Sequence, residues 1–302
     1  MPALPRRIVV SASSDIGHAL ADGWLAAGCE LYGTFRTSGA ALEQLALRGA
    51  ALFCCDLAKP DSIRTACERL RSDANDWDVL VLAAGLIEPI GPFVECDFAA
   101  WSESIQVNFT GQMQILRELL PARRRPARLP PLALLFAGGG ANGATLNYSA
   151  YTLAKIALIK AVELLAAEVT DCRFAIVGPG WVKTKIHQAT LAAGERAGDN
   201  LQRTHEKLAG DDCVPIERVV DCCNWLVTAP MEVINGRNFS TAFDAWGDPR
   251  LDEMLRADRD MYKLRRAGNE KGVRRRLSGV SFQTVDRAPV LTPDASAKLY
   301  CL

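Results

Sequence analysis

Two side chains set the problem. Tyr151 and Lys155 stand four positions apart in a segment with helical patterning, so they share one helix face. A phenol has a pKa near 10 and exchanges protons poorly at neutral pH. A lysine ammonium beside it would stabilise the phenolate and lower that pKa. The pair therefore reads as proton-transfer machinery. It lies in residues 137–160, behind three glycines, Gly138 to Gly140, that follow the apolar run 132–136. A glycine loop at a strand end, next to a proton donor, suggests a bound ligand.

Such a site needs a scaffold, and the order of elements supplies one. Residues 7–12 form a β-rich run, followed by small residues and a helix over 15–27 closed by Gly28. Strands follow at 30–35, 50–55 and 79–83, with helices at 40–47 and 61–71 between them. The second half continues with helical residues 98–120, as one long helix or two short ones, then a strand at 132–136 and a helix at 150–169. A strand at 173–177 comes next, then a polar helix-prone flap over 185–212. A helix at 215–226, with Pro215 in its first turn, precedes a last strand at 233–239. Alternating strands and helices, with strands apolar on both faces, predict an α/β fold: a doubly wound, mostly parallel, seven-stranded sheet of the Rossmann type, with helices on both faces. Its crevice lies at the carboxyl ends of the strands. Residues 11–17, Arg36, Asp56 and residues 83–85 all fall there.

The first turn reads Ser11-Ala12-Ser13-Ser14-Asp15-Ile16-Gly17, small residues ahead of a helix N-terminus that suits a pyrophosphate. At this point the chain resembles the short-chain dehydrogenase/reductase family, over about residues 6–245. The family's Thr-Gly-x-x-x-Gly-x-Gly keeps only Gly17. Ser11 replaces a glycine, tolerably if the turn is not left-handed. Asp15 replaces another, and either sets a carboxylate near phosphate or caps the helix. Further matches follow in the family's order: Asp56-Leu57 at the third strand end, Ala84-Gly85 at the fourth, Asn108, Tyr151-x-x-x-Lys155, and Pro179-Gly180 with Val182 and Thr184.

The resemblance implies a nicotinamide cofactor on Ser11, Ser13, Ser14, Asp15, Ile16, Gly17, Arg36, Asp56, Leu57, Ala84, Gly85, Tyr151, Lys155, Pro179, Gly180, Val182 and Thr184. It implies hydride transfer between that cofactor and a small-molecule carbonyl or alcohol, with Tyr151, Lys155 and Asn108 catalytic and Asn108 holding a water near the lysine. A carboxylate at the second strand end would bind the NAD ribose. This chain has Arg36 instead, which favours NADP, with NAD as the alternative. Gly138 stands thirteen residues before Tyr151, where the family has a serine that holds the substrate carbonyl. Asn142, Thr145 or Ser149 would supply the replacement donor. Losing one such donor typically costs roughly 10²–10³ in rate. The competing reading is therefore a catalytically weak or inactive nucleotide-binding member, a sensor or subunit. Gly138, Asn142, Trp181, Ile186 and His187 are the candidate substrate contacts. Family members pair through the helices flanking the fifth strand, implying a homodimer or homotetramer.

Composition narrows the classes. The 302 residues carry a formal net charge of +0, so no whole-chain field favours nucleic acid or an anionic membrane. No apolar run reaches the ~20 residues of a membrane span, and the opening residues lack a signal-like apolar core, which gives the expectation of a cytoplasmic protein. The 10 cysteines include no C-x-x-C, and His18, His187 and His205 are scattered. Reduced thiols and no metal site are expected. The domain reading is a nucleotide-binding domain over residues 1–245, a helical extension over 246–269 and a disordered tail over 270–302.

Overall fold

The structure is a computed structural model that describes residues 4–125 and 129–266. The tail read at 270–302 lies outside the described residues. Residues up to Arg265 form one compact unit.

Seven strands make the sheet: β1 (Arg6–Val10), β2 (Glu30–Phe35), β3 (Ala51–Cys54), β4 (Val79–Leu82), β5 (Leu132–Phe136), β6 (Arg173–Gly178) and β7 (Arg237–Ser240). Their order is β3-β2-β1-β4-β5-β6-β7, and every neighbouring pair is parallel. The order reverses direction between β1 and β4, which opens a crevice at the strand carboxyl ends. This is the α/β doubly wound sheet that the sequence predicts.

Alternation along the strands explains why both faces are covered. Val9, Val81, Leu134 and Val177 point to one core. There they meet α1 (Asp15–Ala26), α2 (Ala40–Leu47) and α9 (Ile216–Thr228). Ile8, Leu80, Leu135 and Ile176 point to the other. That face is covered by α3 (Pro60–Ala74), α5 (Gly111–Leu119) and α6 (Ser149–Glu168). With both faces dry, the strands read as continuous apolar runs. Between β6 and α9 lie α7 (His187–Ala193) and α8 (Asp199–Ala209), which build the flap.

Two elements differ from the sequence reading, and the helical stretch 98–120 takes the two-helix form of its two alternatives. The last strand is not 233–239: Val233 and Ile234 belong to the short helix α10 (Met231–Ile234), and β7 begins at Arg237. Pro230 opens that helical turn, and Gly236, at φ 76°, swings the chain into the sheet. Buried β-branched residues serve a helix or a strand equally well, so periodicity could not separate the two. Residues 98–120 form α4 (Phe98–Ile105) and α5 joined by a π-helical turn over Gln106–Thr110. A side chain at Gly111 would come within 2.8 Å of the Leu57 carbonyl, so the start of α5 can lie this close to the loop after β3 only with glycine there. Pro215 is the N-cap of α9 and not in its first turn.

Two buried arginines hold the C-terminal part in place. Arg173 donates to the carbonyls of Pro130, Leu226, Val227 and Ala229, closing the end of α9. Arg237 donates to the carbonyls of Glu232, Val233, Leu255, Asp258 and Met261. It thereby ties α10 to α11 (Pro249–Ala257), whose Leu251 and Leu255 enter the core. Each guanidinium spends its donors on carbonyls that helix ends leave unpaired. No described helix is long and apolar enough to cross a membrane.

The β1–α1 turn corrects another expectation. Ser11 adopts φ 64°, a left-handed conformation that favours glycine. The turn is fixed by its partners: Ser11 N–H donates to Thr34 Oγ1 at 3.2 Å, and the Ser11 carbonyl accepts from Ser14 N and Ser14 Oγ at 2.9 and 2.8 Å. The glycine that the family pattern has here is therefore replaced at a backbone cost. Ser11→Gly should stabilise the fold by about 1 kcal/mol. Thermal unfolding would then show a midpoint higher by roughly 2–4 °C. An unchanged or lower midpoint would mean that the seryl hydroxyl contributes more than the strain.

Candidate active site

Helix α6 carries Tyr151 and Lys155 to the carboxyl ends of β4 and β5. Its inner face is Ala150, Ala154, Leu158, Ile159 and Val162, all buried against the sheet. Lys155 continues that face and is itself 2% exposed. Its ammonium donates to the carbonyls of Ala84 and Phe136 at 3.0 and 3.1 Å. Two of its three N–H donors are thus spent just past β4 and at the end of β5, and one remains. The ammonium lies 5.7 Å from the centre of the Tyr151 ring.

Burial governs both groups. It pushes the Lys155 ammonium down to about 8 and the Tyr151 phenol up to about 12. This corrects the expected lowering of the tyrosine. The lysine charge is directed at two carbonyl oxygens, and the loss of water around the phenol dominates. In this state Tyr151 is a protonated phenol at neutral pH.

Gly138 lies directly beneath that phenol. A Cβ at residue 138 would stand 2.8 Å from both Tyr151 Cε1 and its hydroxyl oxygen, and 2.9 Å from Lys155 Cγ. No serine fits there while Tyr151 keeps this position. Of the three replacement donors, Asn142 and Thr145 line the same cleft. Ser149 does not, and its hydroxyl accepts from the Trp101 indole at 3.0 Å.

The phosphate end is built from the first turn of α1. Ser14 is the N-cap and accepts from Gly17 N–H at 3.1 Å. His18 N–H goes to the Ser14 carbonyl, leaving Asp15 and Ile16 with the free N–H groups of this helix end. A side chain at Gly17 would collide with the Ser11 carbonyl and come within 2.7 Å of Ser14 Oγ, so only glycine closes this turn. Asp15 is therefore not the cap. Its carboxylate accepts from Lys185 N–H at 2.8 Å, and the Lys185 ammonium donates to the Ser13 carbonyl at 2.5 Å. The free N–H pair and the spare Lys155 donor fit the diphosphate and ribose of a dinucleotide.

A cleft of about 840 Å³ joins these parts. It is lined by Ser14, Asp15, Ile16, Ala84, Gly85, Gly138, Asn142, Tyr151, Lys155, Pro179, Gly180, Trp181, Val182, Thr184, Ile186 and His187. Its size lies in the range of small-molecule pockets. Gly180, at φ 73°, turns the chain beside Val214, and Ile186 reaches over Gly85. Trp181 stacks on His187 with ring centres 4.5 Å apart. His187 Nε2 meets the Val182 carbonyl at 2.9 Å, and burial lowers the imidazole pKa. A neutral ring bound to a backbone oxygen has no proton to spare for acid catalysis.

The other candidates stand apart from the cleft wall. Ser11, Ser13 and Gly17 belong to the phosphate turn but do not line the cleft. Arg36 is exposed at the end of β2, beside the end of β3 where Asp56 accepts from Ala58 N–H at 3.1 Å and Leu57 is buried. Asn108, in the π turn, is fully buried. Its amide donates to the Leu86 and Ser104 carbonyls at 2.7 and 2.9 Å, and its oxygen accepts from Leu86 N–H at 2.9 Å. These bonds brace the loop that follows β4, next to the Ala84 carbonyl that Lys155 holds.

The sequence reading missed several cleft residues. Tyr148 donates to Thr190 at 3.0 Å, joining the start of α6 to the flap. Tyr262 and Leu264 reach the cleft from beyond α11. Lys185 was read only as the start of the flap. A carboxylate in a phosphate turn calls for a counter-charge, and that signal would have pointed to it.

Comparison with known proteins agrees with this geometry. Residues 10–241 match the family described as enoyl-(acyl carrier protein) reductase. The 3-oxoacyl-[acyl-carrier-protein] reductase FabG of Escherichia coli is 27% identical over 210 residues, covering 67% of this chain and 83% of the relative. Cis-4-hydroxycyclohexanecarboxylate dehydrogenase of Sinomonas cyclohexanicum is 29% identical over 161 residues, 50% of this chain and 63% of that one. Among solved structures, a short-chain dehydrogenase/reductase of Saccharomyces cerevisiae superposes with a TM-score of 0.70 at 20% identity, covering 82% of this chain and 98% of that one. A short-chain dehydrogenase of Burkholderia cenocepacia, solved in complex with NADP, gives 0.66 at 21% identity, covering 78% and 95%. The match runs from the end of β1 through β7, and the chain belongs to the short-chain dehydrogenase/reductase family of nicotinamide-dependent oxidoreductases.

Proposed function

We propose that this chain is an NADP-dependent carbonyl reductase in which Tyr151 donates the proton. The observation that carries the reading is the half-buried Tyr151 beside the buried Lys155, whose ammonium is anchored on Ala84 and Phe136 with one donor unspent. Bound nicotinamide would supply hydride to a carbonyl carbon. The chain's own part is to hold the cofactor and protonate the oxygen. The N–H groups of Asp15 and Ile16 take the diphosphate. Lys155 holds a ribose hydroxyl with its third donor. Tyr151 delivers its proton to the developing alkoxide.

Arg36 supports NADP over NAD. It is exposed at the end of β2 and makes no ion pair with a described residue. Its guanidinium can hold a 2′-phosphate with charge-assisted hydrogen bonds. The test has two steps. Purified protein with NADPH should reduce at least one carbonyl in a broad aldehyde and ketone panel. Arg36→Ala should then weaken NADPH binding by roughly 10-fold or more and leave NADH binding within about twofold. Equal losses for both cofactors would remove the 2′-phosphate role. No turnover anywhere in the panel would favour the lapsed, nucleotide-binding reading.

A further inference from the structure

Asp15 is an unfavourable residue at a diphosphate site, and the structure shows what accompanies it. Its carboxylate sits at the first position of α1, where it suits the helix dipole but faces any incoming anion. Lys185 comes from the far side of the cleft, on the segment that leads into α7. Its main-chain N–H donates to Asp15 Oδ2 at 2.8 Å. Its ammonium donates to the Ser13 carbonyl at 2.5 Å and stands 4.0 Å from Asp15 Oδ1. Among the described residues no other cation forms an ion pair with Asp15. Both residues line the same cleft.

We propose that Asp15 and Lys185 act as one charge-compensated unit of the cofactor site, in which Lys185 cancels the Asp15 carboxylate and meets the diphosphate of the bound dinucleotide. This rests on the cofactor reading above. The ammonium has three N–H donors and the Ser13 carbonyl uses one. Its side chain is 59% exposed, so the remaining donors are open to a ligand. The main-chain bond keeps Asp15 occupied when the ammonium turns to phosphate. Because Lys185 belongs to the flap, the same contacts couple the flap to the phosphate turn. An acidic residue in the turn is thereby tolerated, and removing Lys185 alone would leave that carboxylate uncompensated beside the diphosphate.

The experiment is a double-mutant cycle on NADPH affinity, read by cofactor fluorescence with the full chain. Asp15→Asn keeps the acceptor oxygen and removes the charge. Lys185→Ala should weaken NADPH by roughly tenfold, the size of a coupling between contacting charges. Asp15→Asn should bind at least as tightly as wild type. The double variant should recover to within about threefold of wild type, which also shows that Lys185→Ala has not unfolded the site. If Lys185→Ala binds like wild type, or the double variant stays as weak as Lys185→Ala, the compensation is overturned while the cofactor reading stands. If wild type binds neither NADPH nor NADH, the cofactor reading falls and this proposal falls with it.

Discussion

Tyr151→Phe is expected to lower the rate of NADPH-dependent carbonyl reduction by roughly 10²–10⁴-fold, the usual contribution of a positioned proton donor. That range corresponds to about 3–5 kcal/mol of transition-state stabilisation. The substitution removes one oxygen and keeps the ring that packs over Gly138 and beside the Lys155 stem. The fold and NADPH affinity should therefore change little, and the loss should appear in kcat. Burial holds the phenol pKa near 12, so Tyr151 stays protonated until an alkoxide, a stronger base than a phenolate, develops beside it. Lys155 contributes by place as much as by charge, since its ammonium is fixed on the Ala84 and Phe136 carbonyls. Steady-state kinetics on the best substrate from the carbonyl panel, with NADPH binding measured separately, checks this. Equal rates for the variant and wild type would make Tyr151 a wall residue and favour a protein that binds nucleotide without performing the chemistry.

Gly138→Ser is expected to impair the enzyme, although it writes back the residue that the family pattern has. The new Cβ would lie 2.8 Å from the Tyr151 hydroxyl and 2.9 Å from Lys155 Cγ. Neither neighbour is a free end of a flexible chain, because Tyr151 is a rigid ring and Lys155 is anchored. Overpacking of this kind typically costs about 1–3 kcal/mol. Displacing a proton donor by about 1 Å can cost on the order of 10²-fold in rate. Gly138→Ser should thus unfold at a lower temperature than wild type and turn over more slowly. A rise in kcat instead would show that Tyr151 moves aside readily and that the glycine is a simple loss. The expected loss would show that the glycine and the position of Tyr151 belong together, with the substrate oxygen held from elsewhere. Asn142 and Thr145 are the cleft-lining residues placed to do that.

The fold was legible because its signals are local. The central strands are short apolar runs bounded by turns, and a parallel sheet buried on both faces needs nothing subtler. Tyr151, Lys155 and the residues at strand ends followed from spacing and order. The rest depended on tertiary facts. The left-handed Ser11 is imposed by its bond to Thr34, which the sequence does not reveal. Val233 and Ile234 are buried whether helical or extended, so their pattern could not assign them to α10. The raised phenol and lowered ammonium are consequences of burial, which residue spacing cannot report. The Asp15–Lys185 contact joins positions from opposite sides of the cleft. Gly138 was noticed as a missing serine, but only the geometry shows that Tyr151 fills the space.

A crystal structure with bound NADPH tests most directly whether Tyr151 works at a nicotinamide site. The expected density crosses the carboxyl ends of β1, β4 and β5, with diphosphate at the first turn of α1 and ribose on Lys155. The nicotinamide should face Tyr151, leaving room for a carbonyl whose oxygen lies within about 3 Å of the phenol. Nicotinamide bound elsewhere in the cleft, or no dinucleotide at millimolar concentration, would contradict that role.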